Sequence, residues 1–142
     1  MPTRRARASW EGSLREGAGK LSLESGACEP RYSFGSRFET SGGTNPEELL
    51  AAAHAGCFAM ALSLALGKAG FVPERIDAEA RVTIEPADGG FAIRSSHLVC
   101  EARVPGIDEV TFAKQAEATR LGCPVSKALG SIEITLEAHL AE

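Results

Sequence analysis

The sequence predicts an α+β fold, in which antiparallel β-hairpins pack on one long, buried central helix. Strict alternation of apolar and polar residues over 76–84 and 132–140 is typical of half-buried strands. A long stretch without any charged residue, from Leu49 to Gly67, predicts the central helix. The chain of 142 residues shows neither an internal repeat nor a linker, so we expect a single domain over 1–142.

The N-terminal part predicts a first hairpin. Residues 4–10 and 18–24 have the composition of short strands, and a glycine-containing turn over 12–17 joins them. Residues 32–38 are expected to be irregular, because Gly35 interrupts them.

Strong signals mark both ends of the central helix. Asn45 suits the N-cap, Pro46 suits the first helical position, and two glutamates follow at the positive end of the helix dipole. Gly70 ends the helix, which would therefore run from Pro46 to about Ala69. Such a helix is about 35 Å long.

The apolar character of this helix predicts a second subunit. A helix that is apolar on all sides is expected to be buried on all sides, and a monomer of this size is only roughly 35–40 Å across. The length alone also fits a membrane span, but the stretch is rich in alanine, which contributes little to insertion, and it lacks a basic flank on one side. We therefore expect a homodimer and no membrane partner.

The C-terminal part predicts a second hairpin followed by two helical segments. The strand over 76–84 is expected to pair with 91–104, and a change of apolar parity predicts a β-bulge near Ser95 and Ser96. An amphipathic helix is expected over 108–122, and a new helical turn over 124–129. The predicted buried stripe of the first helix contains Val110, Ala113, Ala116 or Glu117, and Leu121.

Charge and composition exclude several function classes. The formal net charge is −4 with a pI near 5.5, which gives no electrostatic reason to expect nucleic acid as a partner. The arginines near the N-terminus are not followed by an apolar segment, so a secretory signal is not expected and a cytoplasmic location is. No cofactor or metal is expected.

Two of the four cysteines are candidates for chemistry. Cys57 lies within the predicted central helix, where packing as a small apolar residue is the commoner role. Cys123 stands between a glycine and a proline, at the N-cap of a new helical turn, where free backbone N–H groups favour the thiolate form. Cys28 in a polar loop and Cys100 on an apolar strand face are interpreted as structural or incidental.

Three other residues could support a reactive thiol. Arg37 is a candidate cation, although a solvated loop arginine is an open alternative. Glu47 does not share a helical face with Cys57 and would act on it only through an intermediary such as an arginine. His54 shares a face with Cys57 and suits a base or a ligand, but a satisfied buried histidine is the commoner case, and one histidine with one cysteine is too few for zinc.

These motifs resemble the OsmC/Ohr family, the osmotically inducible protein C and organic hydroperoxide resistance proteins. The matching segments occur in order over nearly the whole chain. His54 in the helix and Arg37 in the SRFE segment are more similar to the OsmC branch than to the Ohr branch. They are WEG at 10–12, SRFE at 36–39, GTNPEEL at 43–49, AAHAGCFAMAL at 52–62, VPGID at 104–108 and GCPVS at 122–126.

The resemblance implies a thiol-dependent peroxidase that reduces organic hydroperoxides, and inorganic ones less well, to alcohols. It implies that Cys57 is the peroxidatic cysteine and that Cys123 resolves its sulfenic acid to a disulfide. It implies that Arg37 pairs with the Cys57 thiolate and that Glu47 holds this arginine in place. It also implies an OsmC-like domain over 1–142, a homodimer with active sites at the subunit interface, and an external dithiol as reductant.

The residues themselves leave two alternatives open. One is a cysteine hydrolase in which His54 serves as the base for Cys57. The other is a non-catalytic binding protein whose buried cysteines only pack.

Overall fold

The computed structural model describes all 142 residues and contains two compact units, residues 1–49 and 50–142. The α+β class is confirmed. A single domain over 1–142 stays a prediction.

The first unit contains a small antiparallel sheet. Its strands are β1 (Ala6–Glu11), β2 (Ala18–Leu23) and β3 (Arg31–Tyr32), in the order β1-β2-β3. The hairpin of β1 and β2 confirms the first predicted pair of strands.

The expectation of irregular structure over 32–38 is wrong, because β3 is followed by the short helix α1 (Phe34–Phe38). A reciprocal pair of serines starts this helix. The backbone N–H of Ser36 donates to Ser33 Oγ at 3.1 Å, and the N–H of Ser33 donates to Ser36 Oγ at 2.7 Å. A Cβ at position 35 would lie 2.3 Å from Ser41 Oγ, so Gly35 permits the close approach of Ser41 to this helix.

The central helix α2 (Pro46–Lys68) begins and ends as predicted. The backbone N–H of Glu48 donates to Asn45 Oδ1 at 2.7 Å, which is the expected N-cap bond. Gly70 follows the helix with a φ of 94°, a conformation that favours glycine.

In the single chain α2 is buried on one side, and the expected covering of its other sides by a second subunit stays a prediction. One face is fully buried, and its side chains recur every fourth residue: His54, Phe58, Leu62 and Leu66. On other faces Met60 and Leu64 are 78% and 61% exposed. By length and composition alone α2 could cross a membrane, and 22% of its most apolar 18-residue window is buried.

The second unit contains a mixed sheet. Its strands are β4 (Arg75–Ala87), β5 (Gly90–Arg103) and β6 (Glu133–Leu140), in the order β4-β5-β6. β4 and β5 form the predicted antiparallel hairpin, with the bulge beside the predicted position, at Arg94. β6 pairs with β5 in parallel, which corrects the expectation of antiparallel hairpins alone.

Two helices make the crossover that a parallel pair requires. These are α3 (Glu109–Gly122), capped by Asp108, and α4 (Pro124–Ala128), capped by Cys123, both as predicted. The predicted stripe of α3 is largely wrong: Val110 and Leu121 are 79% and 62% exposed. The buried side chains of α3 are Phe112, Ala116 and Thr119. Phe112 has the largest apolar side chain of the helix, so its burial sets the rotation of α3.

Candidate active site

In the first unit, an arginine and a glutamate form a fixed ion pair. Arg37 lies in the last turn of α1 and Glu47 in the first turn of α2. Arg37 Nη2 donates to Glu47 Oε1 at 2.8 Å, and Arg37 Nε donates to the two carboxylate oxygens at 3.2 and 3.3 Å. The Glu47 side chain is only 7% exposed, whereas that of Arg37 is 36% exposed. The carboxylate therefore anchors a guanidinium that remains partly open to solvent.

Backbone contacts hold α1 against the start of α2. Ser36 Oγ donates to the carbonyl oxygen of Thr44 at 2.7 Å, and Asn45 Nδ2 donates to the carbonyl oxygen of Ser36 at 2.9 Å. Because Ser36 precedes Arg37 and Asn45 lies two residues before Glu47, these bonds fix the spacing of the ion pair.

An apolar cavity of about 260 Å³ opens beside Arg37. Most of its walls are aromatic or aliphatic; the lining consists of Trp10, Leu14, Tyr32, Ser33, Phe34, Arg37 and Phe38. Trp10 and Tyr32 pack with ring centroids 5.5 Å apart. A Cβ at Gly19 would lie 2.4 Å from the Tyr32 ring, so this glycine permits the packing. The sequence analysis did not predict this cavity, although the concentration of aromatic residues over 32–38 is a signal that could have indicated it.

In the second unit, the two candidate cysteines lie side by side. Cys57 on α2 is half-buried, and Cys123 between α3 and α4 is 1% exposed. The side chain of Cys123 is close enough to raise the pKa of Cys57, and both thiols are free. The fold thus brings together two sulfur atoms that are far apart in the sequence.

The surroundings of Cys57 do not by themselves favour a thiolate. Burial raises the pKa of Cys57, a hydrogen bond from the backbone of Val125 acts in the opposite direction, and Cys123 raises it further. No cationic side chain of residues 50–142 contributes to this balance. A reactive thiolate at Cys57 therefore needs a positive charge from outside this set of contacts.

Cys123 occupies the predicted N-cap of α4. The backbone N–H of Ser126 donates to Cys123 Sγ at 3.4 Å, and the Cys123 thiol donates to Ser126 Oγ at 3.2 Å. The sequence predicted the cap but not the role of the Ser126 side chain.

His54 is the satisfied buried histidine that the sequence analysis gave as the commoner case. It is 0% exposed, and its Nδ1 lies 2.7 Å from Ser96 Oγ and its Nε2 lies 2.8 Å from Ser126 Oγ. Burial lowers the pKa of His54, which favours the neutral ring. Both ring nitrogens are occupied by serines, which argues against a hydrolase in which His54 acts directly on Cys57.

The other two cysteines lie where the sequence placed them. Cys28 is exposed in a loop, and Cys100 is buried in the core on β5. Burial raises the pKa of Cys100 to about 11, so this thiol is unreactive near neutral pH. No group of three or more histidine, cysteine, aspartate or glutamate side chains is placed to hold a metal ion.

Comparisons with known proteins identify the family to which the chain belongs. The family described as OsmC-like protein matches residues 39–137. The chain is 49% identical over 138 residues to "Peroxiredoxin OsmC" of Escherichia coli (strain K12), a match that covers 96% of each chain. It is 35% identical over 98 residues to the "Organic hydroperoxide resistance protein" of Xanthomonas axonopodis pv. citri (strain 306), covering 66% of each. The solved structure of an organic hydroperoxide resistance protein from Elizabethkingia anophelis superposes with a TM-score of 0.77 at 26% identity, covering 99% of this chain and 98% of that one.

Proposed function

Because the chain belongs to the family of OsmC-like proteins, we propose that it reduces organic hydroperoxides to alcohols through a Cys57–Cys123 disulfide. The broader class, a cysteine-based peroxidase, is the one predicted from the sequence, and the relatives' names bear it out. The observation that carries the finer proposal is that the fold brings the Cys123 side chain close enough to Cys57 to raise its pKa.

The first step is nucleophilic. The Cys57 thiolate attacks one oxygen of the hydroperoxide, the O–O bond breaks, and the alkoxide leaves as the alcohol after taking up a proton. Cys57 is left as a sulfenic acid, and the two electrons that it loses reduce the peroxide.

Arg37 supplies the positive charge that this step requires. The pKa of Cys57 is raised by burial, so a thiolate forms near neutral pH only if a cation offsets that cost. Arg37 is partly exposed and is held by the buried carboxylate of Glu47, which leaves one side of the guanidinium available. In this proposal the guanidinium charge stabilises the Cys57 thiolate and also the negative charge that develops on the leaving oxygen.

The second step forms the disulfide. Cys123 attacks the Cys57 sulfenic acid, the S–O bond breaks, and water leaves. An external dithiol then reduces the disulfide by exchange and restores both thiols.

The cavity beside Arg37 favours an alkyl substrate. Its lining is mostly aromatic and aliphatic, so an alkyl or aryl group would be removed from water on binding there. Hydrogen peroxide has no such group, and we expect it to be the poorer substrate.

A second copy of this chain would cover the exposed apolar face of α2. Met60 and Leu64 are largely exposed there, and a contiguous apolar surface on a helix is typical of an interface. In the proposed homodimer the active sites lie at this interface. Sedimentation equilibrium of the wild type and of Met60→Glu tests this: the charged variant should shift toward monomer.

Peptide mapping by mass spectrometry after treatment with cumene hydroperoxide tests the function. The wild type should contain a Cys57–Cys123 linkage, whereas Cys123→Ser should stop at oxidised Cys57 and proceed to over-oxidation. Cys28→Ser is the matched control and should retain the linkage, because Cys28 lies in an exposed loop. The absence of a Cys57–Cys123 linkage in the wild type would overturn the proposal.

Titration of the native thiols before and after treatment with cumene hydroperoxide addresses the non-catalytic alternative. A binding protein with packed cysteines would keep both thiols unreactive toward alkylation and peroxide. A peroxidase would lose two titratable thiols on treatment with the peroxide.

A further inference from the structure

A continuous hydrogen-bonded chain connects the buried His54 ring to the Cys123 sulfur. Cys123 Sγ lies 3.2 Å from Ser126 Oγ, and Ser126 Oγ lies 2.8 Å from His54 Nε2. On the other side of the ring, His54 Nδ1 lies 2.7 Å from Ser96 Oγ. All four residues are buried, so water does not compete with these bonds.

The donors and acceptors of this chain agree in direction. The Cys123 thiol donates to Ser126 Oγ. The Ser126 hydroxyl has one proton, which it can then donate to an unprotonated His54 Nε2. In that tautomer the His54 Nδ1–H donates to Ser96 Oγ, which fixes the ring and its proton.

We propose that Ser126 and His54 form a proton relay that activates Cys123 for its attack on oxidised Cys57. This inference deepens the proposed peroxidase function, on which its catalytic meaning rests. Ser126 is the catalytic residue of the relay, since its hydroxyl touches the reacting Cys123 sulfur. His54 acts through Ser126, and Ser96 positions the ring.

The proton balance of the step closes without an added reagent. As the Cys57–Cys123 bond forms, the Cys123 proton passes to Ser126 Oγ while the Ser126 proton passes to His54 Nε2. The S–O bond of the Cys57 sulfenic acid breaks and releases hydroxide. The relay then returns one proton through Ser126 to that hydroxide, giving water, a neutral imidazole and the disulfide.

The environment of His54 suits this shuttle. Burial lowers its pKa, so the ring is neutral before the reaction and gives the proton up readily afterwards. The His54 ring contacts Ser96 of β5 and Ser126 of α4, and neither serine ionises near neutral pH. The hydrogen-bonded chain reaches two titratable groups, the Cys123 thiol and, through it, the Cys57 thiol. No charged group contributes to the His54 shift.

The rate of the Cys123 attack can be measured without any peroxide. Cys57 is converted to its mixed disulfide with thionitrobenzoate, and attack by Cys123 releases the coloured thionitrobenzoate anion. In the wild type we expect this release to be nearly independent of pH above about 6.5. In Ser126→Ala it should be about 100-fold slower at neutral pH and should rise with pH until the Cys123 thiol ionises without help.

Further variants separate the relay from a merely structural role. Ser126→Thr keeps the hydroxyl and should recover most of the rate. His54→Gln keeps a hydrogen-bonding side chain without a basic nitrogen and should show the pH profile of Ser126→Ala. His139→Gln makes the same change on an exposed histidine and should behave as the wild type. A wild-type pH profile in both Ser126→Ala and His54→Gln would overturn the relay, whatever their thermal stability.

A second arm uses cumene hydroperoxide and follows sulfenic acid formation and disulfide formation separately by rapid quenching. In Ser126→Ala the ratio of the second rate to the first should fall by about 100-fold. If the wild type forms no sulfenic acid while the thionitrobenzoate arm still ranks the variants as expected, the peroxidase proposal fails and the relay stands. If the wild type forms the disulfide but the variants keep its pH profile in both arms, the relay fails and the peroxidase stands.

Discussion

The ion pair of the first unit and the thiol network of the second unit, formed by Cys57, Cys123 and His54, differ in how they treat charge: the first holds charged groups in place, whereas the second disfavours them. Arg37 and Glu47 keep a full positive charge in place with one buried carboxylate. Cys57, Cys123 and His54 form a thiol network in which burial raises the pKa of Cys57 and lowers that of His54. Burial thus disfavours the charged forms of Cys57 and His54. The sulfur chemistry that we propose for this chain therefore requires a positive charge that the thiol network itself does not contain.

The largest effect is expected for the loss of the attacking sulfur. Cys57→Ser should abolish peroxide turnover, because a serine hydroxyl at that position has no thiolate-like nucleophile to offer. Stopped-flow measurement of cumene hydroperoxide consumption with dithiothreitol as reductant checks this. Cys100→Ala, which removes a core thiol, should retain the peroxide chemistry. If Cys57→Ser turned over peroxide as fast as the wild type, Cys57 would not be the attacking residue.

The next effect is expected for the removal of the arginine charge. Arg37→Met keeps most of the side-chain length, and we expect the first oxidation to be about 100- to 1,000-fold slower. The pH profile of Cys57 alkylation by iodoacetamide should also move to higher pH, since burial then acts on the thiol without compensation.

Arg31→Met is the matched control for that change. Arg31 lies on β3 of the same unit with an exposed side chain, and its replacement should leave the alkylation profile unchanged. If Arg37→Met also leaves the Cys57 profile unchanged, the two regions are not coupled and the guanidinium has another role.

A smaller effect is expected for the carboxylate that holds the arginine. Glu47→Gln keeps an oxygen that accepts from the guanidinium but loses the charge, so Arg37 is retained and less firmly oriented. We expect the first oxidation to be about tenfold slower. Glu48→Gln, one residue along the helix, serves as the control and should match the wild type. An equal loss in both variants would mean that the N-terminus of α2, not the Arg37 contact, was disturbed.

The local signals of the sequence predicted much of this arrangement. Asn45 and Pro46 identified the start of α2, and the setting of Cys123 between a glycine and a proline identified the cap of α4. Each of these signals depends on a few neighbouring residues. The contact of Cys57 with Cys123 came from a family resemblance, since no local pattern places two distant thiols together.

The features that the sequence analysis missed depend on tertiary packing. Ser96 and Ser126 are ordinary serines in the sequence, and only their convergence on His54 gives them a role. The parallel pairing of β6 with β5 joins segments separated by two helices. The rotation of α3 follows from the burial of Phe112, which periodicity alone did not distinguish from burial of Val110.

The smallest effect concerns acid stability, and it tests whether His54 is buried in its neutral form. The pKa of His54 is lowered in the folded state, so between that value and the ordinary 6.5 the unfolded chain binds more protons. The stabilising contribution is complete above about pH 6.5 and is lost as the pH falls below it. Urea unfolding at about pH 7.5 and about pH 5.5 should show a lower midpoint at the acidic value, and His54→Gln should reduce this difference.

Asp108 and Glu117, whose pKa values are also shifted, contribute little to the change in stability over this pH range. Hydrogen bonds from Thr111 and Arg120 lower the pKa of Asp108 and Glu117 respectively, below the ordinary 3.8 and 4.5, so their contributions are lost only at more acidic pH. His139→Gln controls for the loss of an exposed histidine and should keep the wild-type difference. If His54→Gln kept it as well, the ring would be protonated in the folded state. The thiol network would then contain a charge of its own, and the contrast with the Arg37–Glu47 pair would no longer hold.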